Sequence, residues 1–126
     1  YMQSQATVLA YNMIDRMRAN LAATFALAYV TPMPAAPSAA THEPNACTGG
    51  GAGCSVAALT TYDIAQWEYD LAYALPQGRG AITTTPNGGG SFTVTIKVLW
   101  NDSRANQALG GTLAPANTSV SVASAL

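Results

Sequence analysis

Charge is what this chain has least of. Of its 126 residues 9% are Asp, Glu, Lys or Arg, against about a quarter in ordinary globular domains. Five basic residues against six acidic ones, a net charge of −1, leave no cationic surplus for neutralising phosphates, so an electrostatic nucleic-acid binder is excluded. Charged disorder is excluded too, because 49% of the chain is hydrophobic and its polar groups are Thr, Ser, Asn and Gly rather than Glu and Lys. That polarity fits a secreted or periplasmic surface. The length suits one modest domain, residues 1–126. The longest apolar-looking stretch, Leu21 to Val30, is about half of what a bilayer-crossing helix needs.

Histidine occurs once, as His42, and cysteine twice, as Cys47 and Cys54. A zinc site needs more ligands and a CxxC redox pair needs closer spacing, so no metal and no cofactor is expected. Between the cysteines runs Thr48-Gly49-Gly50-Gly51-Ala52-Gly53, flexible enough to close a local Cys47–Cys54 disulfide. Two free thiols are the other reading, disfavoured by an oxidising compartment. Nucleophilic catalysis has little to draw on. His42 lies in a proline-rich stretch with no nucleophile-elbow serine near it. Glu68 and Asp70, two apart on a helix, point about 200° apart and cannot face one substrate together. No catalytic residue is assigned, and no small-molecule substrate is expected.

What is present falls into four zones. Met2, Ala6, Leu9, Met13, Met17 and Leu21 recur at steps of three or four, with Ala10 and Ile14 beside them and no Gly or Pro between. They define one amphipathic helix within residues 1–28, fraying after Leu21 and ended before Pro32. Residues 29–59, with Pro32, Pro34, Pro37, Pro44 and the glycine run, read as a long connecting loop. A second helix is expected over 60–76, with Ile64, Trp67, Leu71 and Leu75 inward and Gln66, Glu68 and Asp70 on a solvated side. Thr60 or Thr61 would cap it, Asp63 would sit in its first turn, and Pro76 and Gly78 would end it. Residues 81–126 are expected to form an antiparallel sheet. Phe92, Val94, Ile96, Val98 and Trp100 alternate with Ser91, Thr93, Thr95 and Lys97. Ala81–Thr85 pairs with that strand across Pro86–Gly90, and Ser119–Ala123 forms a last strand. Helices before a small sheet make an α+β chain.

The densest charge is the run Asp15-Arg16-Met17-Arg18-Ala19-Asn20. Asp15 and Arg18 are spaced to pair on one helix face, Arg16 and Asn20 on an adjoining one. A surface ion pair contributes well under about 1 kcal/mol, so stability is a weak reason for the cluster. Planar guanidinium groups suit a defined partner surface, or the carbonyls of the loop that follows.

The longer run from Ser4 to Asn20, SQATVLAYNMIDRMRAN, resembles the N-terminal helix of PilV-type minor pilins of type IV pili. There an S-x-A-x-x-L-A-Y-x-x-x-D-R-M-R-A-N pattern follows the membrane-embedded half of the pilin helix. Asp63-Ile64-Ala65-Gln66-Trp67, Leu75-Pro76-Gln77-Gly78-Arg79-Gly80, and Val94-Thr95-Ile96 leading to Trp100-Asn101-Asp102 extend the resemblance. It implies a pilin-like fold, a long N-terminal helix packed on a small antiparallel sheet. It also implies a processed leader and an apolar helical half ahead of Tyr1, anchoring a periplasmic domain in the inner membrane before assembly into the surface pilus. The implied function is initiation of pilus assembly at or near the tip, through contacts with other minor pilins and the major pilin. Asp15, Arg16, Arg18 and Asn20 are the expected partner contacts. The family's leader-cleavage site and its acidic residue near the mature N-terminus are absent here, and Cys47 and Cys54 lie in the helix-to-sheet connection, not near the C-terminus as in many major pilins. A minor pseudopilin of a type II secretion system, which shares fold and anchor, and a surface adhesin or carbohydrate-binding module are the alternatives.

Overall fold

The computed structural model describes residues 2–40, 55–101 and 117–126. The uninterrupted apolar stripe at the N-terminus forms helix α1 (Met2–Ala19), which buries Ala6, Ala10, Met13, Ile14 and Met17 on one face. The helix does not continue as expected. At Asn20 the backbone leaves helical geometry (φ −135°, ψ 58°), and the chain re-enters a short helix α2 (Leu21–Phe25). Thr24 Oγ1 donates to the Met17 carbonyl at 3.0 Å, a second bond to an acceptor near the end of α1 that also takes the Asn20 amide at 3.2 Å. Leu27, at φ +62°, then turns the chain and Tyr29 is fully buried. The single helix expected within residues 1–28 is thus two helices with a break, and Leu21 is exposed rather than on the buried stripe.

Helix α3 (Val56–Ala74) starts earlier than its expected Thr60 or Thr61 cap. Ser55 is the N-cap, its Oγ accepting from the Ala58 amide at 3.1 Å. Asp63 therefore lies in the body of the helix, and Thr60 and Asp63 are both buried. At the other end, Gln77 takes φ +56° and Gly78 packs so closely on Leu71 that a Cβ there would overlap the Leu71 carbonyl.

Three antiparallel strands follow in the order β1 (Arg79–Gly88), β2 (Ser91–Asn101), β3 (Asn117–Ala125). The expected strands at Ala81–Thr85 and Ser119–Ala123 lie inside β1 and β3. The β1–β2 turn runs through Gly88, Gly89 and Gly90, all at positive φ, a geometry that only glycine adopts freely. Alternation on β2 holds: Val94, Ile96, Val98 and Trp100 are buried and Lys97 is exposed.

The helices cover one face of the sheet, α1 over β2 and β3 and α3 beside β1, an α+β arrangement of two layers. The core between the layers holds Met13, Ile14, Met17, Trp67, Leu71, Leu75, Ile82, Val94, Ile96, Val98 and Trp100. Trp67 anchors it. Its Nε1 donates to the Leu9 carbonyl at 2.9 Å, tying α3 to α1, and its ring occupies the space that Gly80 leaves on β1. Thr31 bridges to Ile82. Among the described residues no helix is long and apolar enough to cross a membrane.

Candidate functional site

A helix repeat of 3.6 residues divides the charged run at the end of α1 between two faces. Arg16 and Asn20 turn inward, toward α3. Arg16 Nη1 lies 2.8 Å from Asp63 Oδ1, with the side chains 25% and 6% exposed. The Tyr29 hydroxyl donates to the other carboxylate oxygen at 2.5 Å. Asn20 Nδ2 donates to the Tyr29 hydroxyl and to Thr60 Oγ1, each at 3.2 Å. Above them the Arg16 guanidinium carbon stands 5.8 Å from the centroid of the Tyr62 ring.

Burial first, and then the hydrogen bond to Asp63, push the Tyr29 hydroxyl up to about 12, so at neutral pH it is a donor. Both Asp63 oxygens are engaged, so this constellation cross-links α1, α3 and the segment after α2 and offers no open position to a substrate. Of the four residues expected at partner contacts, Asn20 is buried and meets the Tyr29 hydroxyl in the segment that follows the helices, and Arg16 pairs with Asp63.

Asp15 and Arg18 turn outward. They pair at 3.5 Å with side chains 74% and 53% exposed, and Arg18 Nη2 donates to Ser124 Oγ on β3 at 3.1 Å. Val8 and Tyr11, both exposed, continue the same face toward the N-terminus, because 8, 11, 15 and 18 are steps of three and four. Beside Val8 lies an apolar groove of about 300 Å³, lined by Ser4, Gln5, Val8, Leu9 and Ala74. The outer stripe of α1 is thus apolar at one end and ionic at the other.

The remaining acidic groups of α3 are less solvated than their pattern implies. Gln66 is buried and donates to Asp70 Oδ1 at 2.9 Å. Glu68 Oε2 accepts from the Gly80 amide at 3.3 Å, while Oε1 is buried without a partner. Burial pushes this carboxyl up to about 7, an effect that the Gly80 hydrogen bond partly opposes. Among the described residues there is no group of three side chains placed to hold a metal ion. His42, Cys47 and Cys54 lie outside the described residues.

Asp63 and Tyr29 organise the site; the sequence reading assigns neither a site role, placing Asp63 only in the first turn of the second helix. For Asp63 a signal existed: 63, 67 and 71 are steps of four, placing it on the same face as the buried Trp67 and Leu71. For Tyr29, within an alanine-rich stretch, there was none. Comparison with known proteins adds no assignment: no family model, no curated protein and no solved structure matches this chain.

Proposed function

We propose that this domain is the head of a minor pilin, a non-enzymatic subunit that helps initiate type IV pilus assembly and remains at or near the tip. The observation that carries this reading is the two-sided character of α1, the segment that resembles the pilin helix. One face, Ala6, Ala10, Met13, Ile14 and Met17, packs on the sheet and α3; the opposite face, Val8, Tyr11, Asp15 and Arg18, is open. A subunit that works through contacts needs such a surface and no catalytic machinery. In this reading an apolar helical half ahead of Tyr1 anchors the protein in the inner membrane and joins the filament core on assembly. The open stripe then meets other minor pilins or the major pilin.

The coding sequence ahead of Tyr1 gives the first test: a short basic leader followed by about 20 apolar residues is expected. Deleting the gene should strip the surface of most pili, with recovery only from a full-length copy. Normal piliation and twitching in the deletion strain would overturn the proposal, and defective protein secretion with intact pili would select a type II pseudopilin instead.

A further inference from the structure

The two edges of the sheet are built differently, and the backbone phase shows how. Phe92 and Leu126 exchange both backbone hydrogen bonds, at 3.1 and 2.8 Å. Bonded and non-bonded pairs alternate along an antiparallel ladder, so Val94–Ser124, Ile96–Val122 and Val98–Val120 are the bonded pairs of β2 and β3. The amides and carbonyls of Ser119, Ser121, Ala123 and Ala125 consequently point away from β2, along the outer edge of β3. On the opposite side of the sheet the outward residues are Gly80, Ile82, Thr84 and Pro86, a phase set by the two bonds between Ile82 and Thr31.

The β1 edge is guarded at nearly every step. The Gly80 amide is held by Glu68, Ile82 is paired with Thr31, and Pro86 has no amide hydrogen to offer. Proline, side-chain caps and covering segments are the usual means of keeping an edge strand from recruiting another chain. Among the described residues, the β3 edge has none of them. Asn117–Ala125 holds no charge and no proline, its register with β2 is unbroken, and Ser119, Ser121, Ala123 and Ala125 are all exposed. Among the described residues, no hydrogen bond reaches the outward amides or carbonyls of these four.

We propose that β3 is a docking strand whose occupant is β3 of a second copy of this chain, paired antiparallel about a twofold axis through Ser121. The symmetry selects the occupant. An axis there sets Ser119 opposite Ala123 of the second copy and Ser121 opposite itself, so Ser and Ala meet at the centre of the exposed face. No bulk and no like charge opposes the approach. On the helix-covered face it sets Val120 opposite Val122 of the second copy, covering two valines that are half-buried in one copy alone. The charges that α1 brings to this edge, Asp15 and Arg18, are opposite in sign and already paired. A seam one strand long is a small interface, at the weak and transient end of the range. This inference does not rest on the pilus reading, and a deletion phenotype leaves it untouched.

Sedimentation velocity and site-directed cross-linking test it. The wild-type chain should self-associate as its concentration rises toward about 1 mM, and Ser121→Pro should sediment as a monomer while keeping the wild-type melting temperature, because the amide it removes points away from β2. Facing residues of a bonded antiparallel pair have Cα atoms about 5.5 Å apart, within disulfide range. Oxidised Ser121→Cys should therefore form covalent dimers at least tenfold faster than Ser119→Cys or the wild type, and a mixture of Ser119→Cys with Ala123→Cys should cross-link as Ser121→Cys does. A wild-type chain that stays monomeric at about 1 mM, or Ser121→Cys dimers no faster than those of Ser119→Cys, would overturn the proposal. So would a strand of a different subunit protecting the β3 amides where this chain alone does not.

Discussion

Arg16 and Asp63, 47 residues apart in sequence, meet at 2.8 Å between α1 and α3. The guanidinium keeps a route to water and the carboxylate has almost none, so the two ends of this ion pair are not equivalent. Removing the arginine strands a buried charge; removing the aspartate leaves a cation that can turn outward. Arg16→Met should therefore cost more than Asp63→Leu, about 3 kcal/mol against about 2 kcal/mol, and the double variant should recover part of the loss. Urea unfolding of the four proteins in a double-mutant cycle measures both the asymmetry and the coupling.

Tyr29 belongs to the same network but makes a different prediction. Tyr29→Phe leaves one oxygen of Asp63 without its donor and removes one of the two acceptors of Asn20 Nδ2, Thr60 Oγ1 remaining, for an expected loss of about 1–2 kcal/mol. Its pH signature is distinct. A tyrosine raised to about 12 in the folded state ionises near 10 when unfolded. Its contribution is intact below pH 10 and is lost as pH rises through 12. Wild-type stability should thus fall more steeply than that of Tyr29→Phe across this alkaline window. Parallel slopes in thermal melts would contradict the assignment.

How much of this was legible in the sequence depends on the range of the interaction. Met13, Met17, Trp67, Leu71 and the alternating residues of β2 were readable because burial imposes a period of 3.6 or 2 on the residues of one element. Arg16 and Asn20 were assigned to the surface because the spacing rule compares residues within one helix, whereas their partners, Asp63, Thr60 and Tyr29, lie in other segments. The break at Asn20 carries no Gly or Pro signal: a side chain tied to Tyr29 and Thr60 holds it, a tertiary cause that local propensity does not contain. Glu68 was read as solvated for the same reason, since the Gly80 amide that draws it in belongs to the opposite layer.

Glu68 gives the third prediction. Burial raises its folded-state pKa to about 7 from an ordinary carboxylate value. A raised pKa means that the stabilising contribution is complete below the unfolded value, near 4.3, and is lost as pH rises through about 7. Acidifying from pH 8 to pH 5 should raise the melting temperature, and Glu68→Gln should flatten that part of the profile, sitting above the wild type at pH 8. A wild-type melting temperature that falls on going from pH 8 to pH 5 by as much as that of Glu68→Gln would refute the reading.

Gly80 tests the packing of α3 on the sheet. A Cβ at this position would run into the six-membered ring of Trp67 and stand 2.8 Å from Leu71 Cδ1. Both side chains are buried in the core. Gly80→Ala should destabilise the domain by about 1–3 kcal/mol, read as a lower urea midpoint at unchanged slope, and Trp67→Phe in the same chain should relieve part of the loss.

The outer face of α1 separates stability from contact, and a charge swap separates them within one experiment. Exchanging Asp15 and Arg18, as Asp15→Arg with Arg18→Asp, keeps an ion pair on an exposed helix face, so stability should change by no more than about 0.5 kcal/mol. What changes is the charge that a partner meets, and the Arg18 bond to Ser124 is lost with it. Arg18→Gln, which loses the same charge but can keep a donor for Ser124, controls for that bond. If the domain is the pilin head proposed above and this stripe is where it meets its neighbours, the swapped full-length protein should fold and accumulate normally yet restore few surface pili to a deletion strain. A compensating charge change on the neighbouring subunit should then recover them, because like charges set against each other across an interface are costly and complementary ones are not. Full piliation with the swapped protein would remove Asp15 and Arg18 from the interface and leave the apolar end of the stripe, Val8 and Tyr11, as the part of α1 to substitute next.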